Sequence, residues 1–242
     1  MEPLTLESVR KQVSECNGCD LYTKCRGPVH WDGPAPSDIA IIGEAPGRTE
    51  DEERRPFVGP SGRLARSWIE PRFGDVPWLN AVSCFPNRTP TKSEIEACRG
   101  NLIAQLEVIQ PRLVLLFGGI AVSSFVDHRI GEIRGRWIRI GHGWSSMLVY
   151  GMATWHPAAV LRNKNLLVEV LDDLRVFRES VGDGAIPPYV YQPCIKCGSL
   201  VDTHVTEQGI AWCGKHWAWK SGTAGRGRSS KKEQSRKLTL SF

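Results

Sequence analysis

With 242 residues, 41% of them hydrophobic, and a formal charge of +5, the chain can bury one sizeable core plus a small appendage. No apolar run approaches a membrane span, and the opening MEPLTLESVR lacks the basic-then-apolar pattern of a secretion signal, so a cytosolic chain with no membrane partner is expected. Its eight cysteines, Cys16, Cys19, Cys25, Cys84, Cys98, Cys194, Cys197 and Cys213, are then expected to be reduced, and their CxxC pairs point to metal or redox chemistry rather than disulfides.

Leu4 to Val13 reads as a first helix. The knuckle Cys16-Asn17-Gly18-Cys19 follows and offers two thiolates to one metal site. Two more ligands must come from elsewhere, and Cys84 and Cys98, which flank a Pro-rich loop, are the candidates. Such a set holds zinc or an iron–sulfur cluster, and spacing alone does not choose. Ile39-Ala40-Ile41-Ile42 is short and β-branched enough for a buried strand, broken by Gly43-Glu44-Ala45-Pro46-Gly47. A turn at the carboxyl end of a parallel strand is where an open α/β sheet usually places a ligand. Glu44 supplies a carboxylate there, and the glycines let backbone N–H groups approach. An acidic run leads to Pro56-Phe57-Val58-Gly59-Pro60-Ser61-Gly62, an aromatic in a Gly/Pro-rich loop ahead of a helix. The plain alternative for this stretch is a strand, a loop and a helix start with solvated charges.

A helix over Arg63 to Ile69 is expected to break between Pro71 and Pro77. Trp78 to Cys84 reads as a second strand with Asn80 close to its end. Ser93-Glu94-Ile95-Glu96 has the form of a capping box, and Ile95, Leu102, Ile103, Leu106 and Ile109 recur at helical spacing until Pro111. Leu113 to Phe117 is a buried strand, and Gly118-Gly119 turns into another helix. Arg134 to Ile138 opens a hairpin-like region that returns through Ser146 to Gly151. His156-Pro157 follows, and Leu166 to Arg178 is an amphipathic helix. The alternation predicts an α/β domain over residues 1–180 with a mostly parallel central sheet and helices on both faces.

GEAPG, then Glu50-Asp51, then PFVG and Ser61-Gly62-Arg63-Leu64, resembles the first signature of the family 4 uracil-DNA glycosylases. Trp155-His156-Pro157-Ala158-Ala159-Val160-Leu161-Arg162 resembles the second, with Ala158 where relatives usually carry Ser. The resemblance covers roughly the first three-quarters of the chain. It implies a uracil-DNA glycosylase-like three-layer sandwich and a monomeric, monofunctional enzyme that hydrolyses the N-glycosidic bond of deoxyuridine in DNA. It also implies a 4Fe–4S cluster on Cys16, Cys19, Cys84 and Cys98, with Cys25, where relatives commonly have Arg, a bystander.

Roles follow from the same resemblance. Asn80 would read uracil, because a carboxamide offers the donor and acceptor that match N3–H and O4. Phe57 would stack under the everted base, and His156 would hydrogen-bond to O2 as the base departs. Glu44 would orient or deprotonate water, with Ala45 and Gly47 contributing from the turn. Glu50 would crowd uracil C5, Val160 and Leu161 would wedge the vacated stack, and Arg162 would hold phosphate. The Ala158 departure removes one hydroxyl contact to phosphate.

Residues 181–191 read as a linker. Beyond it, Cys194-Ile-Lys-Cys197 and Cys213-Gly-Lys-His216, fifteen residues apart, form a zinc-ribbon pattern over residues 192–220 with a structural Zn2+. Residues 221–242 are a basic tail suited to a polyanion. Its end, Lys237-Leu238-Thr239-Leu240-Ser241-Phe242, resembles sliding-clamp-binding peptides. Two other readings stand beside the enzyme: a uracil-DNA binder that traps rather than turns over, and a clamp-tethered DNA-binding adaptor. Trapping relatives carry an extra basic loop with a His after the Asn strand, and no such insertion lies between Asn80 and Cys98.

Overall fold

The computed structural model describes residues 4–140 and 149–182, together with the strand residues 190–191, 203–205 and 211–213. A six-stranded sheet forms the centre, in the order β2-β1-β3-β5-β4-β6. Strands β1 (Ile39–Gly43), β2 (Trp78–Asn80), β3 (Leu113–Phe117) and β5 (Tyr150–Thr154) run parallel to one another, and β4 (Trp137–Arg139) pairs antiparallel with β5. β6 (Val190–Tyr191) closes the edge parallel to β4.

Period-two alternation divides the strand residues between two cores. Ala40, Ile42, Val114 and Leu116 pack on one side with Val9 and Val13 of helix α1 (Leu6–Ser14) and with Leu102, Leu106 and Ile109. Ile39, Ile41, Leu113, Leu115 and Phe117 pack on the other with Ala65, Trp68 and Ile69 and with Val170, Leu174 and Phe177. The result is the α/β domain expected from the alternation and the three-layer sandwich implied by the resemblance. Two adjoining cavities open at the carboxyl ends of β1, β2, β3 and β5, where Glu44, Asn80, Gly118 and His156 lie.

The helices depart from the sequence expectations in instructive ways. Helix α2 (Arg48–Glu53) is the acidic run, and α3 spans Pro60–Phe73 with Pro71 inside it. Pro71 removes the N–H that would donate to the carbonyl four residues back, and the buried Trp68 and Ile69 hold that turn against the sheet. Gly74, at φ 72°, ends the helix instead. Helix α4 (Lys92–Ile109) is capped by Thr91, two residues ahead of the expected Ser93. Thr91 Oγ1 accepts from Glu94 N at 3.3 Å, and Glu94 Oε2 accepts from Thr91 N at 2.8 Å. Thr91 and Glu94 also have the S/T-x-x-E form, and Pro90 just before them fixes where the helix starts.

Strand β2 stops at Asn80 instead of continuing to Cys84. Helices α5 (Gly119–Ser123) and α6 (Ile130–Ile133) are short, and α7 (Pro157–Arg162) follows β5. Helix α8 runs Leu166–Gly182, past the expected start of the linker, and β6 draws the linker's other end into the sheet. Strands β7 (Thr203–Val205) and β8 (Ala211–Cys213) form an antiparallel hairpin within the expected zinc module. Cys194, Cys197, His216 and the basic tail lie outside the described residues.

Candidate active site and thiol cluster

Parallel pairing aligns Gly43 of β1 with Asn80 of β2. The turn after β1 and the carboxamide at the end of β2 therefore emerge side by side. A Cβ at Gly43 would stand 2.5 Å from Asn80 Oδ1 and 2.5 Å from Phe57 Cζ, so glycine is what lets both side chains close over the strand end. Asn80 is buried, and among the described residues its carboxamide has no hydrogen-bond partner. A donor and an acceptor thus stand ready for a ligand.

Phe57 sits at φ 58°, a conformation unusual outside glycine, and is buried on Trp78 with ring centroids 4.8 Å apart. The surroundings hold it there. Arg66 Nε donates to Phe57 O at 3.1 Å, while the Arg66 guanidinium lies 4.7 Å over the Trp78 ring and ion-pairs with Asp32 at 3.1 Å. The backbone of Phe57 also presses where a Gly62 side chain would be, so Ser61-Gly62 is needed to pack α3 under the loop. Glu50 clasps the two loops together: Oε2 accepts from Gly47 N at 3.1 Å and Oε1 from Gly59 N at 2.7 Å.

His156 ends the stretch after β5 and caps α7. Its Nδ1 accepts from Ala158 N at 3.1 Å, so the neutral ring carries its proton on Nε2. Burial, then the nearby Arg162 charge, lowers its pKa to about 4. Phe57, Asn80 and His156 line one cavity of about 160 Å³, together with Ala45, Gly47 and Glu50. Across Ala45 and His156 lies a more open cavity of about 420 Å³, walled by Glu44, Phe85, Arg88, Trp155 and Arg162. Burial raises the pKa of Glu44, while backbone N–H groups of Ile120 and Gly119 and the Arg162 charge oppose the rise.

Two expectations for α7 separate. Leu161 is 50% exposed and free to enter a base stack, but Val160 is 4% exposed and belongs to the core. Val160 is therefore not part of a wedge: consecutive residues on a helix point about 100° apart, and the face that aims Leu161 outward turns Val160 in. Sequence reasoning also missed Gly118, Arg66 and Trp155. Gly118, at φ 91°, has no room for a side chain between the Glu44 carboxylate and His156 Cβ. The Gly-Gly pair after β3 was the only mark it left.

Cys84 and Cys98 are buried with Leu21, Val82 and Ile95, and Cys19 and Cys25 pack against them. Burial first, then a hydrogen bond that the Cys84 thiol gives to Cys25, drives the Cys84 thiol well above its ordinary range. Burial also pushes Cys98 up to about 11, offset by the Ser83 N–H that it accepts at 3.4 Å, with Cys19 and Cys16 close enough to add to the rise. Cys25 is thus a fifth thiol at the same place. Among the described residues no three such groups close around a single ion. An all-thiol donor set of this kind has the chemistry to hold an iron–sulfur cluster or a zinc ion.

A parallel sheet opening at its carboxyl ends onto a small aromatic- and amide-lined cavity is the form of a base-recognising α/β enzyme. The chain belongs to the uracil DNA glycosylase superfamily, whose family model matches residues 30–175. It is 35% identical over 187 residues to the type-4 uracil-DNA glycosylase of Pyrobaculum aerophilum, spanning 72% of this chain and 93% of that one. The type-4 uracil-DNA glycosylase of Thermotoga maritima is 35% identical over 182 residues, 70% of this chain and 91% of its own. That of Sulfurisphaera tokodaii is 32% identical over 188 residues, 72% and 84%. No helix among the described residues is long and apolar enough to cross a membrane.

Proposed function

We propose that this chain is a uracil-DNA glycosylase that hydrolyses the bond between uracil N1 and deoxyribose C1′ in DNA, leaving an abasic site for repair. One observation carries the reading: Phe57, Asn80 and His156, from three separated segments, converge on a single cavity beside the half-buried carboxylate of Glu44. A base inside a duplex is out of reach, so the nucleotide is everted into that cavity. Phe57 lies under the ring, and the Asn80 amide meets N3–H and O4. Cytosine presents the reverse pattern and leaves that buried amide mismatched.

As the N1–C1′ bond breaks, its electron pair passes to uracil and positive charge develops on the sugar. His156 donates from Nε2 to O2, where the anion builds up, and it stays neutral because its surroundings disfavour a cation. Glu44 faces the outer cavity, where its negative charge favours the cationic sugar and its oxygen takes a proton from the water that adds to C1′. Arg162 holds phosphate and Leu161 fills the vacated stack. Glu50 has both oxygens on backbone amides, which supports a role in keeping the pocket's shape as well as its fit around C5.

Cys16, Cys19, Cys84 and Cys98 would hold a 4Fe–4S cluster, which when bound ties the amino-terminal knuckle to the loop that walls the outer cavity. Cys194, Cys197, Cys213 and His216 would hold a structural zinc. The enzyme would act as a cytosolic monomer, with the basic tail on DNA and the KLTLSF end on a sliding clamp. The test is incubation with uracil-containing single- and double-stranded oligonucleotides followed by alkali. Strand breaks that vanish in Glu44→Ala, Asn80→Ala and His156→Ala are expected. A gel shift without breaks would make the chain a binder instead, and neither would favour the adaptor.

A further inference from the structure

Two residues just ahead of His156 are tied to α8, one by a buried polar contact and one by a part-buried one. Thr154 Oγ1 donates to Asp173 Oδ2 at 2.7 Å, and Trp155 Nε1 donates to Glu169 Oε2 at 2.7 Å. Thr154 has no exposed surface, and Asp173 is 4% exposed. Arg134 serves both carboxylates. Its Nη2 donates to Asp173 Oδ1 and to the Glu169 carbonyl, each at 2.9 Å, and its Nε lies 3.2 Å from Glu169 Oε2. The backbone is fixed from the other side, where Gly118 N donates to Thr154 O and Gly135 N to Ala153 O, both at 2.9 Å. Gly135 sits at φ 68°, and a Cβ there would stand 2.5 Å from Asp173 Oδ1.

This is an expensive way to hold a strand end. Burial of a carboxylate costs solvation, and a buried ion pair is often no more stabilising than apolar residues of the same volume. What such a network supplies is geometry. Only Trp155 and His156 separate β5 from α7, and among the described residues the imidazole itself takes one hydrogen bond, from Ala158 N. Its place in the pocket therefore depends on where Thr154 and Trp155 are pinned. An error near 1 Å in a catalytic group costs on the order of 100-fold in rate.

We propose that Asp173, acting through Thr154, and Glu169, acting through Trp155, are positioning residues that set His156 in the base cavity, with Arg134 as their shared clamp. The proposal rests on His156 being the group that meets uracil O2. Thr154→Val removes the hydroxyl and keeps the shape, Thr154→Ser keeps the hydroxyl, and Trp155→Phe removes the indole N–H and keeps an aromatic. Each is measured for single-turnover excision, for affinity to an oligonucleotide carrying a hydrolysis-resistant 2′-fluoro-deoxyuridine, and for the 15N shifts of the His156 ring.

Thr154→Val and Trp155→Phe are expected to lose about 10-fold or more in rate with affinity within about twofold, and to move the ring signals away from the pure Nε2–H form. Thr154→Ser is expected to restore the wild-type rate. His156→Ala is run alongside. If it excises normally, the assignment of His156 fails. If it is inert while Thr154→Val and Trp155→Phe excise within twofold of wild type, or lose rate and affinity in equal measure, positioning is overturned. Trp155→Phe keeps the test decisive should Thr154→Val fail to fold.

Discussion

Glu44 and His156 are both shifted by burial, in opposite directions, and each shift has a measurable consequence. The rate follows the charged form of Glu44, so excision should fall as pH drops through a midpoint above the ordinary glutamate range. His156, with its pKa lowered to about 4, stays neutral through that window and adds nothing to the limb. A single-turnover rate that stays flat below pH 5 would remove Glu44 from the chemistry. The raised carboxyl also costs stability once pH exceeds its unfolded value, so Glu44→Gln should melt higher than wild type at pH 7, by about 2–4 °C per kcal/mol recovered, while excising about 10²-fold or more slowly. The linkage for His156 runs the other way. Its neutral form supports the fold fully above the unfolded pKa near 6.5, and that support is lost as pH falls toward about 4. At Asn80, Ala substitution should lower kcat/KM on uracil by about 10²-fold or more, because the cavity then offers neither donor nor acceptor.

At the scale of elements, the site depends on close approaches that glycine permits. Gly118→Ala would force a side chain against Glu44 and His156 from a backbone at φ 91°. A fall in single-turnover rate larger than the fall in oligonucleotide affinity is expected, and an unchanged rate would mean that β3 has slack to yield. These elements differ in how far the sequence announces them. The strand Ile39–Ile42, the turn after it and the CxxC knuckle are local patterns, and each stands where its residues predict. Val160 was misplaced because wedge and core differ only in which way a helix face turns. Pro71 and Thr91 misled because a helix boundary depends on what packs outside it. The Arg134–Glu169–Asp173 network was invisible, since partners 14 to 39 residues apart leave no periodic trace.

For the whole molecule, the thiol cluster joins the amino-terminal knuckle to a loop of the active-site wall. That loop is already braced: Arg88 holds Glu94 at 2.6 and 2.8 Å, and Glu94 caps α4. With the proposed cluster bound, Cys98→Ser should therefore strip iron and labile sulfide while the braced loop and the central sheet stay folded. Cys25→Ser should keep full iron and sulfide stoichiometry, and its loss there would mean that the fifth thiol is a ligand. The order of strands in the sheet has one more consequence. β5 inserts between β3 and β4, and it brings the imidazole. A nascent chain that has only just released β3 from the ribosome already owns the acid and the amide, yet it lacks the group that would accept a leaving base. On the proposed mechanism, excision therefore requires β5 in its place beside β3.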